Sequence, residues 1–519
     1  MEGSNELIKR NSEKVEGYIL NVKANYEING LTKAIEVIES LPPEIKAHDK
    51  IRKLEAKYEK EQEADNKFFE DISEIRSYEV FKDWLAAGST MIGEMKLRYQ
   101  TKNKIGVYAT RAINKNELLS YISDEFILTP MRAKAKLVEN EVITNDKLDD
   151  IEHCYIPIFL LLEAQNPESF WKPYIDIFPK DASHFPIFYS ENEMRLLKGL
   201  LCLRNIQERK VEIRNEYNRI AQEIPIIGKL GERMFGHYRI LVTSRYITTT
   251  IKSERTNALI PFLDMINFDA KSQIDWNYEN KAEGLIVKAK EFIRCGTQLT
   301  KQCEIESNIE YLLTYGSVLE DNVNDELEFK IGLDRSDPLY RDKLHYLEPF
   351  REFILYFDRT KRFCYRKLSI LLSYLRLKVF NGPLNEVKKL KLSFLPREEE
   401  RGIINLGELI SVENEIAALN KLLEIIKDKE ERYPTTLQQD ELRVTADANL
   451  LSDNQRNCMI LGMGEKKVLK YLTEFADSAL GPVEVLQRGR RTVLKENTDN
   501  ELYKVYIDHI LTRFLGRLV

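Results

Sequence analysis

Along this chain the spacing of apolar residues changes character four times, and each change marks a shift in the predicted structure. Residues 1–77 read as helices. "ELIKRNSEKVEGYILNVKANYEI" follows Ser4 and "KAIEVIESL" follows Thr32, and both polar residues are candidate N-caps. "LPPE" at 41–44 stops the second helix, because proline lacks the amide donor a helix interior needs. The stretch after it, "EIKAHDKIRKLEAKYEKEQEADNKFFEDISEI", sets few apolar residues among many mixed charges. A solvated helix and a partner-binding coiled coil both stay open for it. The second reading expects Ile51 and Leu54 to be exposed in the isolated chain.

From about residue 78 the texture changes. "YEVFKDWLAAG" predicts a short amphipathic helix closed by Gly88, and "IGVYATRAINKNELLSYISDEFILT" predicts strands around a polar turn at Asn114–Asn116. Residues 150–250 return to helical spacing. Strand-like character resumes over 258–301, where "FLDMINFD" (262–269) reads as part of a hydrophobic strand ending at Asn267. Beyond about 335, "RKLSILLSYLRLKVF", "NEIAALNKLLEIIKDKEERY" and "EKKVLKYLTEFADSAL" restore three- and four-residue spacing. Thr436 and Gln439 form a capping-box pattern after Pro434. The expected class is therefore α+β. A helical extension spans 1–77, and a mixed unit spans 78–320 with a helical insert over about 131–240. A helical domain follows at 335–480, then a C-terminal tail at 481–519.

Composition narrows the function classes. At 519 residues the chain is too long for one hydrophobic core. A net charge of −6 argues against a dedicated nucleic-acid binder, which usually carries a strongly basic face. No run approaches the length of a membrane span, and the N-terminus lacks the apolar segment of a signal peptide, so a cytoplasmic protein is expected. The six cysteines (154, 202, 295, 303, 364 and 458) form no C-x-x-C pair, and the six histidines do not cluster, so no metal site is expected. No phosphate-binding glycine loop is present.

Eight motifs then follow one another: "KIGVYATRAINKNELL" (104–119), "ESFWKPYI" (168–175), "VTSRYI" (242–247), "NALIPFLDMINF" (257–268), "CGTQLTKQCEIESNIEYLLTYG" (295–316), "LISVENEIAALNKLLEII" (409–426), "YPTTLQQDE" (433–441) and "EKKVLKYL" (465–472). In this order they resemble the SET-domain proteins of the Rubisco large-subunit methyltransferase class, which includes actin-histidine methyltransferases. The resemblance covers about residues 78–475. It implies a SET fold split by a helical insert, followed by an all-helical substrate-binding domain. It also implies S-adenosylmethionine as methyl donor, a lysine or histidine of a protein as acceptor, and no metal.

Methyl transfer of this kind needs glycine for close backbone approach to the donor, polar groups to hold it, and a tyrosine hydroxyl to orient the accepting amine. The resemblance places Gly106, Asn267 and Phe268 at the cofactor and Arg245 and Tyr315 near the substrate pocket and cofactor. It places Cys303 where the catalytic tyrosine stands. Three of these positions depart from the pattern. Lys104 replaces the first glycine of a G-x-G, Phe268 replaces a histidine, and Cys303 cannot supply a phenol hydroxyl. Each also has a plainer role: Gly106 as a turn residue, Phe268 as core packing, Cys303 as a buried structural thiol. The expectation is a SET-fold protein with a degenerate centre that binds a protein partner, with the N-terminal helices as added contact surface. The alternative is a working S-adenosylmethionine-dependent protein methyltransferase.

Overall fold

The structure is a computed structural model that describes residues 15–29, 31–68, 75–101, 104–269, 272–302, 307–347, 352–357, 364–383, 409–446, 450–489 and 499–517. The chain divides into two compact units: residues 1–182 with 211–305, and residues 183–210 with 306–519.

In the first unit the N-terminal helices bury their apolar residues against one another. Helices Val15–Asn29, Leu31–Glu39 and Asp49–Phe68 enclose Val22, Ala34, Ile38, Leu41, Ile51 and Tyr58, and Tyr26 stacks on Tyr58 at 4.7 Å. Ile51 is fully buried and Leu54 partly so, which corrects the expectation that both stand exposed. Nor is Thr32 the cap, because the helix already begins at Leu31; Ser4 lies outside the described residues. Proline does end the second helix, and Pro43 opens the next short one, where its missing amide costs nothing.

Helix Arg76–Ala87 buries Tyr78, Phe81 and Leu85 and ends at Gly88, as its amphipathic pattern predicts. The strands that follow are short. Leu118–Ser123 pairs antiparallel with Gly284–Ala289, flanked by Met91–Ile92 and Ile274–Glu279 in a four-stranded sheet. Met95–Thr101 pairs with Lys104–Ala109, and Asn267–Asp269 runs parallel to Thr300–Gln302. Between the two central strands of the large sheet, helices run from Pro130 to Ser244. Tyr155–Glu163 is apolar on every side and therefore buried almost throughout.

The second unit is mainly helical. Cys364–Val379, Val412–Glu430 and the 35-residue helix Asp453–Gln487 share one apolar core, joined by a ribbon of Leu327–Gly332 against Glu352–Phe357. The capping box of Thr436 and Gln439 forms as read, with bonds of 2.9 and 3.3 Å. Residues 501–517, expected as a tail, continue as helix, and Tyr503 and Tyr506 lie in that core. Tyr506 is held there by chemistry as well as packing. Its hydroxyl donates to Glu415 at 3.0 Å, and the Arg376 guanidinium donates to the same carboxylate at 2.7 Å, with both ion-pair partners fully buried. Burial opposes the charge on Arg376, but Glu415 outweighs it and holds the guanidinium above its usual range.

No described helix is long and apolar enough to cross a membrane. Truncating one member of a buried pair strands the other charge. Arg376→Ala is therefore expected to destabilise the second unit by about 3–5 kcal/mol. The three tryptophans, at 84, 171 and 276, all lie in the first unit. Urea unfolding followed by far-ultraviolet circular dichroism should show the loss, while the tryptophan fluorescence transition stays in place.

Candidate functional site

One buried carboxylate organises the part of the first unit where the motifs converge. Asp264 has a fully buried side chain, and its Oδ2 accepts from the Tyr174 hydroxyl at 2.7 Å and from Arg245 Nη1 at 2.8 Å. Its Oδ1 finds no hydrogen-bond partner among the described residues. Arg245 follows directly on helix Glu232–Ser244, and its guanidinium lies 4.9 Å from the centroid of the Phe178 ring. Burial works against the charge on Arg245, but Asp264 and Tyr174 raise its proton affinity above the ordinary value. Burial drives the Tyr174 hydroxyl well above its usual range, and the neighbouring carboxylate adds to this.

The "ESFWKPYI" motif supplies this packing. Trp84, from helix Arg76–Ala87, stacks with Tyr174 at 6.4 Å and meets Trp171 and Phe170 edge-on at 5.8 and 5.3 Å. The short helix Lys172–Asp176 thus lies against aromatic rings, which fixes the angle at which Tyr174 reaches Asp264.

"FLDMINFD" is not the extended run its hydrophobicity suggests. Phe262 takes a left-handed backbone, φ 75°, and Leu263–Met265 form a 3-10 turn before the three-residue strand Asn267–Asp269. A strand would alternate Asp264 to one face. The turn instead carries it inward to Arg245 and Tyr174, and the apolar neighbours Leu263 and Met265 are buried around it.

Immediately after the turn lie two predicted site residues. Asn267 donates through Nδ2 to the carbonyl of Ile105 at 2.9 Å. Ile105 stands between Lys104 and Gly106 on strand Lys104–Ala109, and Gly106 is buried there. The structure therefore brings Gly106, Asn267 and Phe268 into one region. Phe268 pairs in parallel register with Lys301, whose ammonium sits 4.5 Å from the centroid of the phenylalanine ring and donates to the carbonyl of Leu263 at 3.1 Å. Lys301 is 2% exposed. Sequence reading missed this lysine. Its one available signal was a charged residue at an inward position of "CGTQLTKQC", where a strand pattern asks for an apolar one.

Cys303 lies outside the described residues. Tyr315 closes helix Asn308–Tyr315 in the second unit, followed by Gly316 at φ 67°, a left-handed cap that glycine adopts without strain. The "SN" of the motif that leads this helix is structural. Asn308 exchanges hydrogen bonds with Leu319 at 3.0 and 2.7 Å and gives two of 2.9 Å to Asp325, so its amide is fully used inside the protein. Among the described residues no group of His, Cys, Asp or Glu could hold a metal ion.

Tested against S-adenosylmethionine, these residues divide. The buried backbone at Gly106 and the amide of Asn267 suit an adenosyl ligand packed close to the chain. On the adjoining strand Lys301 packs against the Phe268 ring, which gives that ring a structural role.

Comparison with known proteins bears on the fold that carries these residues. The family described as "Rubisco LSMT substrate-binding" matches residues 334–469. The actin-histidine N-methyltransferase of Papio anubis is 25% identical over 446 residues, covering 82% of this chain and 72% of its own length. The chloroplastic [fructose-bisphosphate aldolase]-lysine N-methyltransferase of Arabidopsis thaliana is 26% identical over 416 residues, covering 76% and 81%. A solved structure of the SET domain of LSMT bound to lysine and AdoHcy superposes with a TM-score of 0.59 at 20% identity, covering 86% of this chain and 99% of that one. The chain has that SET-domain fold, and it resembles in sequence the Rubisco-type and actin-histidine methyltransferases.

Removing the carboxylate at the centre of this arrangement is expected to cost about 3–5 kcal/mol, since it leaves a buried guanidinium uncompensated. Asp264→Ala should lower the urea midpoint of tryptophan fluorescence, which Trp84 reports directly from beside Tyr174. Asp264→Asn, which keeps an acceptor for the hydroxyl, should lose less.

Proposed function

We propose that this chain is a SET-fold protein-binding module whose methyl-transfer chemistry has eroded. The observation that carries the reading is the pairing of Phe268 with the buried Lys301 ammonium, beside Asn267. It gives Phe268 a packing role where the resemblance implies a polar residue at the cofactor. Cys303, at the family's tyrosine position, points the same way from sequence, because a thiol cannot orient an amine as a phenol hydroxyl does. Losing one such donor costs about 10²–10³ in rate.

The partner in this reading is a protein. The relatives act, by their names, on actin histidine and on aldolase lysine, which supports a protein surface rather than a small molecule as what the helical unit holds. The N-terminal helices bury Ile51 and part of Leu54 in a core of their own, so a contact surface on them is polar rather than apolar. Location follows the partner: cytoplasmic, with association to the cytoskeleton.

A second reading, a working protein methyltransferase, draws support from Arg245, Asp264 and Tyr174, a well-formed buried framework in the region of the motifs. Radiolabelled S-adenosylmethionine separates the two. The purified chain is expected to transfer no label above background to itself, histones, actin or a cell lysate. Stoichiometric methylation by the unmodified protein, abolished by Asn267→Ala, would overturn the eroded-centre reading and establish the enzyme.

A further inference from the structure

Glu465 is sealed inside the second unit without an ion pair. It is 2% exposed, on helix Asp453–Gln487, and each of its oxygens has one hydrogen-bond partner. Oε1 accepts at 2.8 Å from the amide of Leu201, the first residue of helix Leu201–Glu223. Oε2 lies 2.8 Å from the Tyr433 hydroxyl. Among the described residues no cation forms an ion pair with this side chain. The Lys466 ammonium, next along the helix, pairs with Asp440, and the Lys429 ammonium donates to the Glu328 carbonyl at 2.9 Å. Asp325 faces Glu465 with a like charge, and the buried Cys202 thiol is a further titratable neighbour. A carboxylate taken out of water without a paired cation is costly.

The two partners permit a less costly state. An amide can only donate, so it requires Oε1 to be an acceptor. A phenol both donates and accepts, so Oε2 can carry a proton and donate it to the Tyr433 oxygen. Burial raises the Glu465 carboxyl above its ordinary range, Asp325 adds to this, and the Leu201 amide, Lys429 and Tyr433 oppose it without reversing it. We propose that Glu465 is an acid-strengthened clamp, holding the start of helix Leu201–Glu223 to helix Asp453–Gln487 as a neutral carboxylic acid and weakening when its proton leaves. The clamp lies in the helical unit assigned above to the partner, and it does not depend on whether methyl transfer survives.

The sign follows from linkage. An unfolded glutamate loses its proton near pH ~4.3. Above that pH the folded unit keeps a proton that the unfolded chain has lost, so this group's contribution to stability falls as pH rises, until the folded carboxyl ionises as well. Glu465→Gln copies the neutral acid, because its oxygen can accept from Leu201 while its amide donates to Tyr433. Urea unfolding of the full chain, followed by far-ultraviolet circular dichroism between about pH 5 and pH 8, compares the two proteins. At the upper end the variant is expected to match or exceed the unmodified midpoint. Across the window the unmodified folding equilibrium should drop relative to the variant's by up to about tenfold per pH unit. Infrared spectra at about pH 6, above the range of an ordinary carboxyl, should show a protonated carboxyl C=O stretch that the variant lacks. Parallel pH profiles, a variant midpoint below the unmodified one throughout, or a variant that fails to fold overturns the proposal, because each means that the folded protein holds Glu465 ionised. Absence of the carboxyl stretch from the unmodified protein overturns it independently of the variant's stability.

Discussion

A carboxylate sealed from water must be met by a cation and a donor or it will not stay charged, and around Asp264 that requirement sets the local backbone. Arg245 comes from the end of one helix, Tyr174 from a short helix clamped by Trp84, and Asp264 from a turn with Phe262 in the left-handed region. The three side chains meet only if the chain abandons an extended path at Leu263–Met265. Once it does, the next residues are delivered to a fixed place. Asn267 reaches the Ile105 carbonyl, and Phe268 falls in register with Lys301. The strain at Phe262, on the order of 1–3 kcal/mol, is offset by bonds that only the turned backbone makes.

How much of this was legible in the sequence depends on what kind of signal each part leaves. Amphipathic helices announce themselves by period and caps, so Arg76–Ala87 with its closing Gly88 and the capping box at Thr436 appear where their patterns put them. The class resemblance, carried by eight ordered motifs, holds for sequence and fold. "FLDMINFD" failed as a strand because a short apolar run looks the same whether it is extended or folded into a buried turn. Ile51 misled for a related reason. In a charge-rich helix a sparse apolar residue suggests exposure, but here neighbouring helices supplied the other half of a small core. Lys301 was passed over because its one signal, a charge at an inward strand position, is weak in a three-residue strand; the register with Phe268 makes it plain.

The fold reuses one device in two settings. In each unit an arginine and a carboxylate are buried together with a tyrosine hydroxyl: Arg245, Asp264 and Tyr174 in the first, Arg376, Glu415 and Tyr506 in the second. Such triads add little net stability compared with an apolar core, but they tolerate few alternative arrangements, because any slip leaves a charge stranded. They fix which helices and turns meet. Lys301 adds a contact of another kind, between its Nζ and the Phe268 ring.

The interleaving of the two units along the chain has a bearing on synthesis. Leu201 donates its amide to Glu465 at 2.8 Å, across a sequence separation of 264 residues, and Tyr433 completes that carboxylate at 2.8 Å. At translation rates of about 5–20 residues per second, the segment 183–210 waits on the order of tens of seconds for the helix that covers it. In that interval the ribosome has finished the strands of residues 211–305, which belong with the earlier half of the chain. Leu197, Leu200 and Cys202 are all buried in the finished protein, so a nascent chain displays them to solvent before their partners exist. Until then the apolar stretch is open to non-native contacts.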